Sequence, residues 1–237
     1  MKIKNLLLIG SIVASITLSS CSKDDDNSIP PETNPTTPTN ETGTFTDNRD
    51  NKVYKWVKIG DQVWMAENLA YTGSDIQNIT DNTDWKNNTN YDAWCYYDNS
   101  DSLGEIYGVL YQWEAAKTAC PDGWHLATHD EWTTLIDHLG GENEAGGKMK
   151  EIGTSHWNSP NSGADNSSGF STLPGGNRDF NGDFNDLGND GYWWTATEYN
   201  SGSTSGAFYH SLNYFYSGIY TNGDIKFFGY SVRCVKD

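Results

Sequence analysis

Apolar positions along this chain change period several times, and each change predicts an element. Val53, Val57 and Ile59 are interleaved with lysines ahead of Gly60-Asp61, and Gln62-Val63-Trp64-Met65 resumes the apolar pattern. That layout predicts a β-hairpin closed by a two-residue turn with glycine first. Residues 72–92 are rich in Asn, Thr and Asp without periodicity and predict a surface insertion. Tyr107, Leu110, Trp113, Ala116 and Ala119 fall near helical spacing, with Gly104 and Gly108 before and Cys120-Pro121 after, so a helix is expected there. Thr128-His129-Asp130-Glu131 has the form of a capping box, in which Glu131 returns a hydrogen bond to Thr128. Trp132, Leu135, Ile136 and Leu139 follow at i, i+3, i+4 and i+7, and Gly140-Gly141 ends this second helix. From Ser155 onward glycines separate short aromatic or β-branched runs at 170–173, 192–197, 208–212, 215–220 and 230–235, which predict strands. Helices followed by strands predict an α+β class with two main helices, an antiparallel sheet and long Gly-rich loops.

The first residues read as an address. Lys2 and Lys4 precede an apolar run over 6–14, the layout of a secretory signal peptide spanning 1–20. Leu18-Ser19-Ser20-Cys21 then resembles the bacterial lipobox, which implies a diacylglycerol and palmitate-type acyl chains on Cys21; an ordinary signal peptide with an unmodified Cys21 is the alternative. Acyl chains contribute ~0.8 kcal/mol per buried methylene, so two or three of them anchor a protein stably to a membrane. Ser22-Lys23-Asp24-Asp25-Asp26 resembles the acidic export signal of Bacteroidetes-type lipoproteins, implying a lipid-anchored protein at the outer membrane and exposed on the cell surface. A solvated linker start is the other reading of that run. Residues 21–45 carry Pro30, Pro31, Pro35 and Pro38 among Thr, Asn and Ser, and are expected to be a disordered spacer. Residues 46–237 remain for one folded domain, and at about 190 residues such a domain buries roughly 70% of its unfolded surface.

Charge narrows the choice of partners. With 15 Lys+Arg against 32 Asp+Glu the formal charge is −17, which excludes a nucleic-acid groove as the purpose of this chain. Aromatics make up 14% of the residues, 10 Trp and 14 Tyr among them, and suit short strands and structured loops packed through rings.

Seven blocks, in order, carry a family likeness. They are 58–69 (KIGDQVWMAENL), Tyr107-Gly108 through Trp113-Glu114-Ala115-Ala116, and Cys120-Pro121-Asp122-Gly123-Trp124-His125-Leu126. Glu131-Trp132, Leu173-Pro174-Gly175-Gly176, Gly191-Tyr192-Trp193-Trp194 and Gly229-Tyr230-Ser231-Val232-Arg233-Cys234-Val235 complete the set. Together they resemble the Fibrobacter succinogenes major paralogous domain, a family mostly of unknown function. The middle and end also resemble the C-type lectin-like fold shared with formylglycine-generating enzymes. That resemblance implies a disulfide between Cys120 and Cys234. It also implies that Cys95 is unpaired, since Ser100-Asp101-Ser102-Leu103 stands where relatives often place its partner.

Candidate chemistry lies mainly in the second half. Asp179, Asn181 and Asp183 sit at positions 1, 3 and 5 of a calcium-like loop, although Phe184 replaces the glycine such a loop requires and no Glu closes it; a hairpin with solvated acids is the simpler reading. Sugar motifs of the Glu-Pro-Asn or Trp-Asn-Asp form are absent. Trp193 and Trp194, with Tyr192 and Tyr199, form either a stacking platform or core, and strand alternation sends the two tryptophans to opposite faces. The same question attaches to the aromatics of 208–220. Arg178 beside Asp179 is either an ion pair or a ligand clamp. Arg178, Asp183, Asn185, Asp186, Trp193, Trp194 and Glu198 are the candidate ligand contacts. His125 and His129 straddle a helix entry, a poor spacing for zinc. No nucleophile–base pair, phosphate loop or dinucleotide fingerprint is visible, so neither catalysis nor a cofactor is expected. The expectation is a surface lipoprotein with a lectin-like binding or adhesion domain for an extracellular glycan or protein. A degenerate oxidoreductase related to the formylglycine-generating enzymes and a passive structural surface protein are the alternatives.

Overall fold

The computed structural model describes residues 40–74, 76–201 and 204–237. The signal peptide, Cys21 and the linker up to residue 39 lie outside the described residues.

The chain opens with β1 (Thr42–Thr46), antiparallel to β2 (Val53–Ile59), which pairs in turn with β3 (Gln62–Met65). The expected hairpin is present, and Gly60 adopts φ 60 at its turn. The domain begins earlier than residue 46: β1 occupies the end of the expected spacer because Phe45 stacks on Tyr54 and Trp124, at ring separations of 5.6 and 4.5 Å. The last strand, β13 (Cys234–Lys236), lies between β3 and β7 (Trp124–Leu126), so both ends of the domain share one sheet in the order β1-β2-β3-β13-β7. A disulfide joins Cys120 to Cys234 beside that pairing, and Cys95 is free and buried.

The helix expected through 107–119 is divided. It comprises α2 (Asp101–Tyr107), the short strand β6 (Leu110–Tyr111) and α3 (Trp113–Ala119). Gly108 divides them at φ 81, a conformation costly to other residues, where a side chain would also press on the Leu69 carbonyl. The capped helix, α4 (His129–His138), is formed as expected. Thr128 accepts the Glu131 N–H at 3.2 Å, Glu131 accepts the Thr128 N–H at 2.7 Å, and Trp132, Leu135 and Ile136 are buried. A short α5 (Ala145–Met149) follows.

The insertion at 72–92 is more than a surface loop. It contains β4 (Gln77–Asn78) and α1 (Asn82–Asn87), the latter capped by Asp81, whose carboxylate accepts the N–H groups of Thr83 and Asp84. β5 (Ala93–Cys95) pairs parallel with β4 and antiparallel with β6. α1 buries Trp85 completely, which is why this polar segment folds onto the body.

Five α-helices and several sheets among the described residues confirm a mixed α+β class, but not one closing sheet. β8 (Asn177–Arg178) and β9 (Phe184–Asn185) form a small ribbon, and β10 (Asp190–Ser201), β11 (Thr204–Asn213) and β12 (Ile219–Ile225) form a meander. Of the runs expected as strands, 170–173 contributes only a bridge from Thr172 to Lys150, and 215–220 is mostly a turn. β10 separates two cores. Trp193 packs with Trp64, Trp132 and Phe170 on one side, and Trp194 with Tyr111, Trp113 and Tyr230 on the other, as alternation along a strand requires. No helix among the described residues is long and apolar enough to cross a membrane.

Candidate functional site

The structure disperses most of the expected ligand contacts. Trp193 and Trp194 are both fully buried, so of the two readings offered for them they are core and present no stacking platform to a ligand. Their indole N–H groups donate to Asn68 Oδ1 and to the Tyr111 carbonyl, each at 2.9 Å, which completes their role as core. Arg178 is buried as well, contrary to a clamp reaching for ligand. Its Nε donates to the Gly182 carbonyl (3.0 Å), Nη1 to the Ile79 carbonyl (2.6 Å), and Nη2 to the Thr80 carbonyl and Asn82 Oδ1 (2.9 Å each). With its guanidinium 4.4 Å from the Trp85 ring centre and 4.9 Å from that of Phe184, Arg178 clips the α1 insertion to the β8–β9 ribbon.

The calcium-like run is a turn built by its own first residue. Asp179 Oδ1 accepts the backbone N–H groups of Asn181 (2.8 Å) and Asp183 (3.0 Å), which is Asx-turn chemistry. Asn181 Oδ1 accepts from Lys86 Nζ at 3.2 Å, placing a cation where a calcium ligand was considered. Asp183 and Asn185 are exposed. Asp186 accepts from the Tyr192 hydroxyl (2.9 Å) and the Asn177 amide (3.2 Å) and so belongs to the scaffold. Glu198 is exposed and paired with Lys226 at 2.8 Å; that hydrogen bond holds its carboxyl below the usual range. The histidines do not converge either. His125 lies between Asp237 (2.7 Å) and Glu131 (2.8 Å). Burial opposes its charge, yet the two carboxylates hold its pKa above the ordinary value. His129 instead stacks between Phe208 and His210, at 4.6 and 5.5 Å.

What does assemble is an aromatic tip on the turn between β11 and β12. Phe215, Tyr216 and Tyr220 are 55%, 53% and 49% exposed, so about half of each large ring faces water. With half-buried Tyr214 they form an edge-to-face row at centroid spacings of 5.9, 5.5 and 6.2 Å. A shallow groove of about 310 Å³ runs beside Tyr216 and Tyr220, walled by Glu142 and Asn143.

This turn is held from below. Lys150 is fully buried at the end of α5, and its ammonium donates to the carbonyls of Tyr216 (2.7 Å), Ser162 (2.8 Å) and Asn213 (3.1 Å). Those three acceptors satisfy the three donors of a lysine, while burial lowers its pKa to about 8. Asn213 Oδ1 accepts the Phe215 N–H (2.7 Å), Ser217 Oγ donates to the Asn143 carbonyl (3.1 Å), and the Gly147 N–H donates to the Ser217 carbonyl (2.7 Å). Gly146 packs so closely on the Gly218 carbonyl that no side chain fits between α5 and the turn. The rings are thus presented on a fixed backbone, apolar at the face and hydroxylated at the edge. Such a surface stacks on a sugar ring or an apolar side chain at little ordering cost. The aromatic run in the sequence indicated this surface; nothing in the sequence singled out Lys150.

In comparison with protein families, residues 57–236 match one family model, that of the Fibrobacter succinogenes major domain. Comparisons with curated proteins and with solved structures find no match.

Proposed function

The chain belongs to the Fibrobacter succinogenes major domain family, and from that premise we propose a surface-exposed lipoprotein whose domain binds an extracellular glycan or protein without catalysing a reaction. The observation that carries the reading is the aromatic tip. Three half-exposed rings, fixed by a buried lysine and a glycine-lined contact, leave apolar surface in water with no role in the core. The lipobox-like Leu18-Ser19-Ser20-Cys21 and the acidic residues after it support anchoring by lipid at the outer membrane. A C-type lectin-like arrangement is part of the proposal. It is supported by the mixed α+β class and by the Cys120–Cys234 bridge at the place the resemblance implies. Cys95 is a poor candidate for a thiolate nucleophile of an oxidase-type alternative. This thiol is fully buried and burial pushes its pKa up to about 12, the opposite of what a reactive thiolate needs.

The test is a panel of immobilised glycans and extracellular proteins probed with the intact protein. Saturable binding weakened about tenfold or more by Phe215→Ala or Tyr216→Ala is expected. A panel without any binder overturns the reading. Mass spectrometry of the mature amino terminus should find Cys21 first in the chain and acylated.

A further inference from the structure

A cleft of about 760 Å³ lies between the β1–β2 edge, α2 and the loop through Asn166 and Ser171. That volume is within the range of about 300 to 1,000 Å³ typical of small-molecule sites. No residue of the aromatic tip lines it.

Three features give it chemistry. Trp56 is half-buried and stands opposite Gly43 in the β1–β2 register; the glycine leaves room for the indole to rest on β1, where any side chain would strike it. The ring is therefore fixed on one side and borders the cleft on another, with Ile106, 45% exposed, extending the apolar wall.

The floor contains Arg233, which is 1% exposed and has no carboxylate in ion-pair contact among the described residues. Its Nε donates to Asn68 Oδ1 (2.8 Å), Nη1 to the carbonyls of Met65 (3.1 Å) and Phe170 (2.6 Å), and Nη2 to the carbonyl of Ser171 (3.0 Å). A guanidinium has five N–H donors, so these four bonds leave one, on Nη2.

The third feature is Glu67. Its Oε2 accepts the Lys55 backbone N–H at 2.8 Å and Oε1 is 3.8 Å from Lys55 Nζ, with the side chain 41% exposed and acceptor capacity to spare.

The charges choose the ligand. Lys52, Lys55 and Arg233 line the cleft against Glu67, Glu105 and Glu151, so its formal charges cancel, while the whole chain at −17 repels polyanions. Hydroxyl groups, each able to donate and accept, suit donors and acceptors interleaved beside an aromatic ring. We propose that this cleft is a metal-independent subsite for a neutral hexopyranoside, one sugar ring lying against Trp56 with its hydroxyls between the Glu67 carboxylate and the remaining Arg233 N–H.

The experiment is an NMR titration of the intact, ¹⁵N-labelled protein in the presence of EDTA. The probes are neutral gluco-, manno- and galacto-configured oligosaccharides, with oligogalacturonate as the acidic comparison. The Trp56 indole N–H signal, identified by its loss in Trp56→Phe, should shift saturably with at least one neutral series. Trp56→Ala should weaken that binding about tenfold, and Phe215→Ala less than about twofold. Should Trp56→Ala fail to fold, Glu67→Gln, with its fold checked by the amide spectrum, should weaken binding about fivefold. A Trp56 signal unmoved by every neutral probe overturns the proposal, as does tighter binding of the uronate. Sugar binding lost in Phe215→Ala but kept in Trp56→Ala places the ligand at the tip; it overturns this subsite and leaves the broader binding function standing.

Discussion

The aromatic residues of β10 and those of the turn after β11 are alike in composition and opposite in use. Around β10, Trp193, Trp194 and Tyr230 are buried, each with its polar atom engaged: the indoles by Asn68 and Tyr111, and the Tyr230 hydroxyl by Asp224 at 3.1 Å. At the tip, Phe215, Tyr216 and Tyr220 keep about half their surface in water, and the bonding that fixes them runs through backbone carbonyls and N–H groups. Interior rings are specified by contacts to their side chains. Tip rings are specified by contacts beneath their main chain, which leaves the side chains available. A ring at the tip can therefore be removed without unfolding anything, and a ring at β10 cannot.

The largest effect expected from that contrast is at Trp194. Trp194→Ala removes a fully buried indole and leaves the Tyr111 carbonyl without this donor, so urea unfolding should show a loss of about 3 to 5 kcal/mol. A loss under about 1 kcal/mol would mean that the β10 core tolerates the hole and that the distinction between the two regions is wrong.

The disulfide comes next, because it ties β13, and with it the wall of the interior core, to the end of α3. Cys234→Ser should cost about 2 to 5 kcal/mol, the usual range for losing a native bridge. Thiol titration of the unfolded, unreduced mature protein with an acylated Cys21 should detect Cys95 alone, and titration of the folded protein none, since Cys95 is fully buried.

Legibility in the sequence follows the range of the interactions. The Gly60 turn and the Thr128–Glu131 capping box were readable because all their atoms come from residues a few positions apart. Alternation likewise placed Trp193 and Trp194 on opposite faces, though it could not say that both faces are interior. Arg178, which the sequence offered as an ion pair with Asp179 or a ligand clamp, instead binds carbonyls, and its acceptors at Ile79 and Thr80 lie 99 and 98 residues away. Lys150 was not noticed for the same reason, with the Tyr216 carbonyl 66 residues distant. Trp85 and Phe45 lie in polar segments whose burial depends on partners far along the chain. The exposed tip was half legible: the aromatic run was evident, its exposure was not.

His210, on β11 and fully buried, belongs to the interior region and supplies a pH test of it. Its ring stacks on Trp132 at 4.9 Å, Thr221 Oγ1 is 3.0 Å from Nδ1, and burial followed by the neighbouring His129 lowers its pKa from 6.5 to about 3. Unfolding releases the ring to its ordinary pKa. The unfolded state then binds the extra proton as pH falls below 6.5, and stability present above that pH is lost progressively toward pH 3. Acidification from about pH 6.5 to about 5.5 should cost about 1 kcal/mol through this residue alone. His125 has the opposite sign, its raised pKa favouring the folded state on the acid side until its carboxylate partners protonate. The measurement is therefore the difference in pH slope between the native protein and His210→Phe, with the slope of the variant expected to be the shallower. Equal slopes would remove His210 from the account.

The smallest expected effect on stability decides the comparison from the other side. Phe215→Ala and Tyr216→Ala each remove a ring that already spends half its surface in water, and neither substitution touches the Tyr216 carbonyl that Lys150 holds or the Phe215 N–H that Asn213 accepts. Their unfolding free energies should stay within about 0.5 kcal/mol of the native protein, as is usual for surface positions outside special structure. Lys150→Met supplies the contrast within the tip itself. It leaves every ring in place but takes the donor from three partly buried carbonyls, so it should destabilise by about 1 to 3 kcal/mol and loosen the turn that carries the rings. If the ring variants destabilise as much as Lys150→Met, the tip is a satellite of the core and its exposure has no separate purpose. If they leave stability intact while Lys150→Met does not, the main chain is the structural part of this turn and the rings are free for contact with something outside the protein.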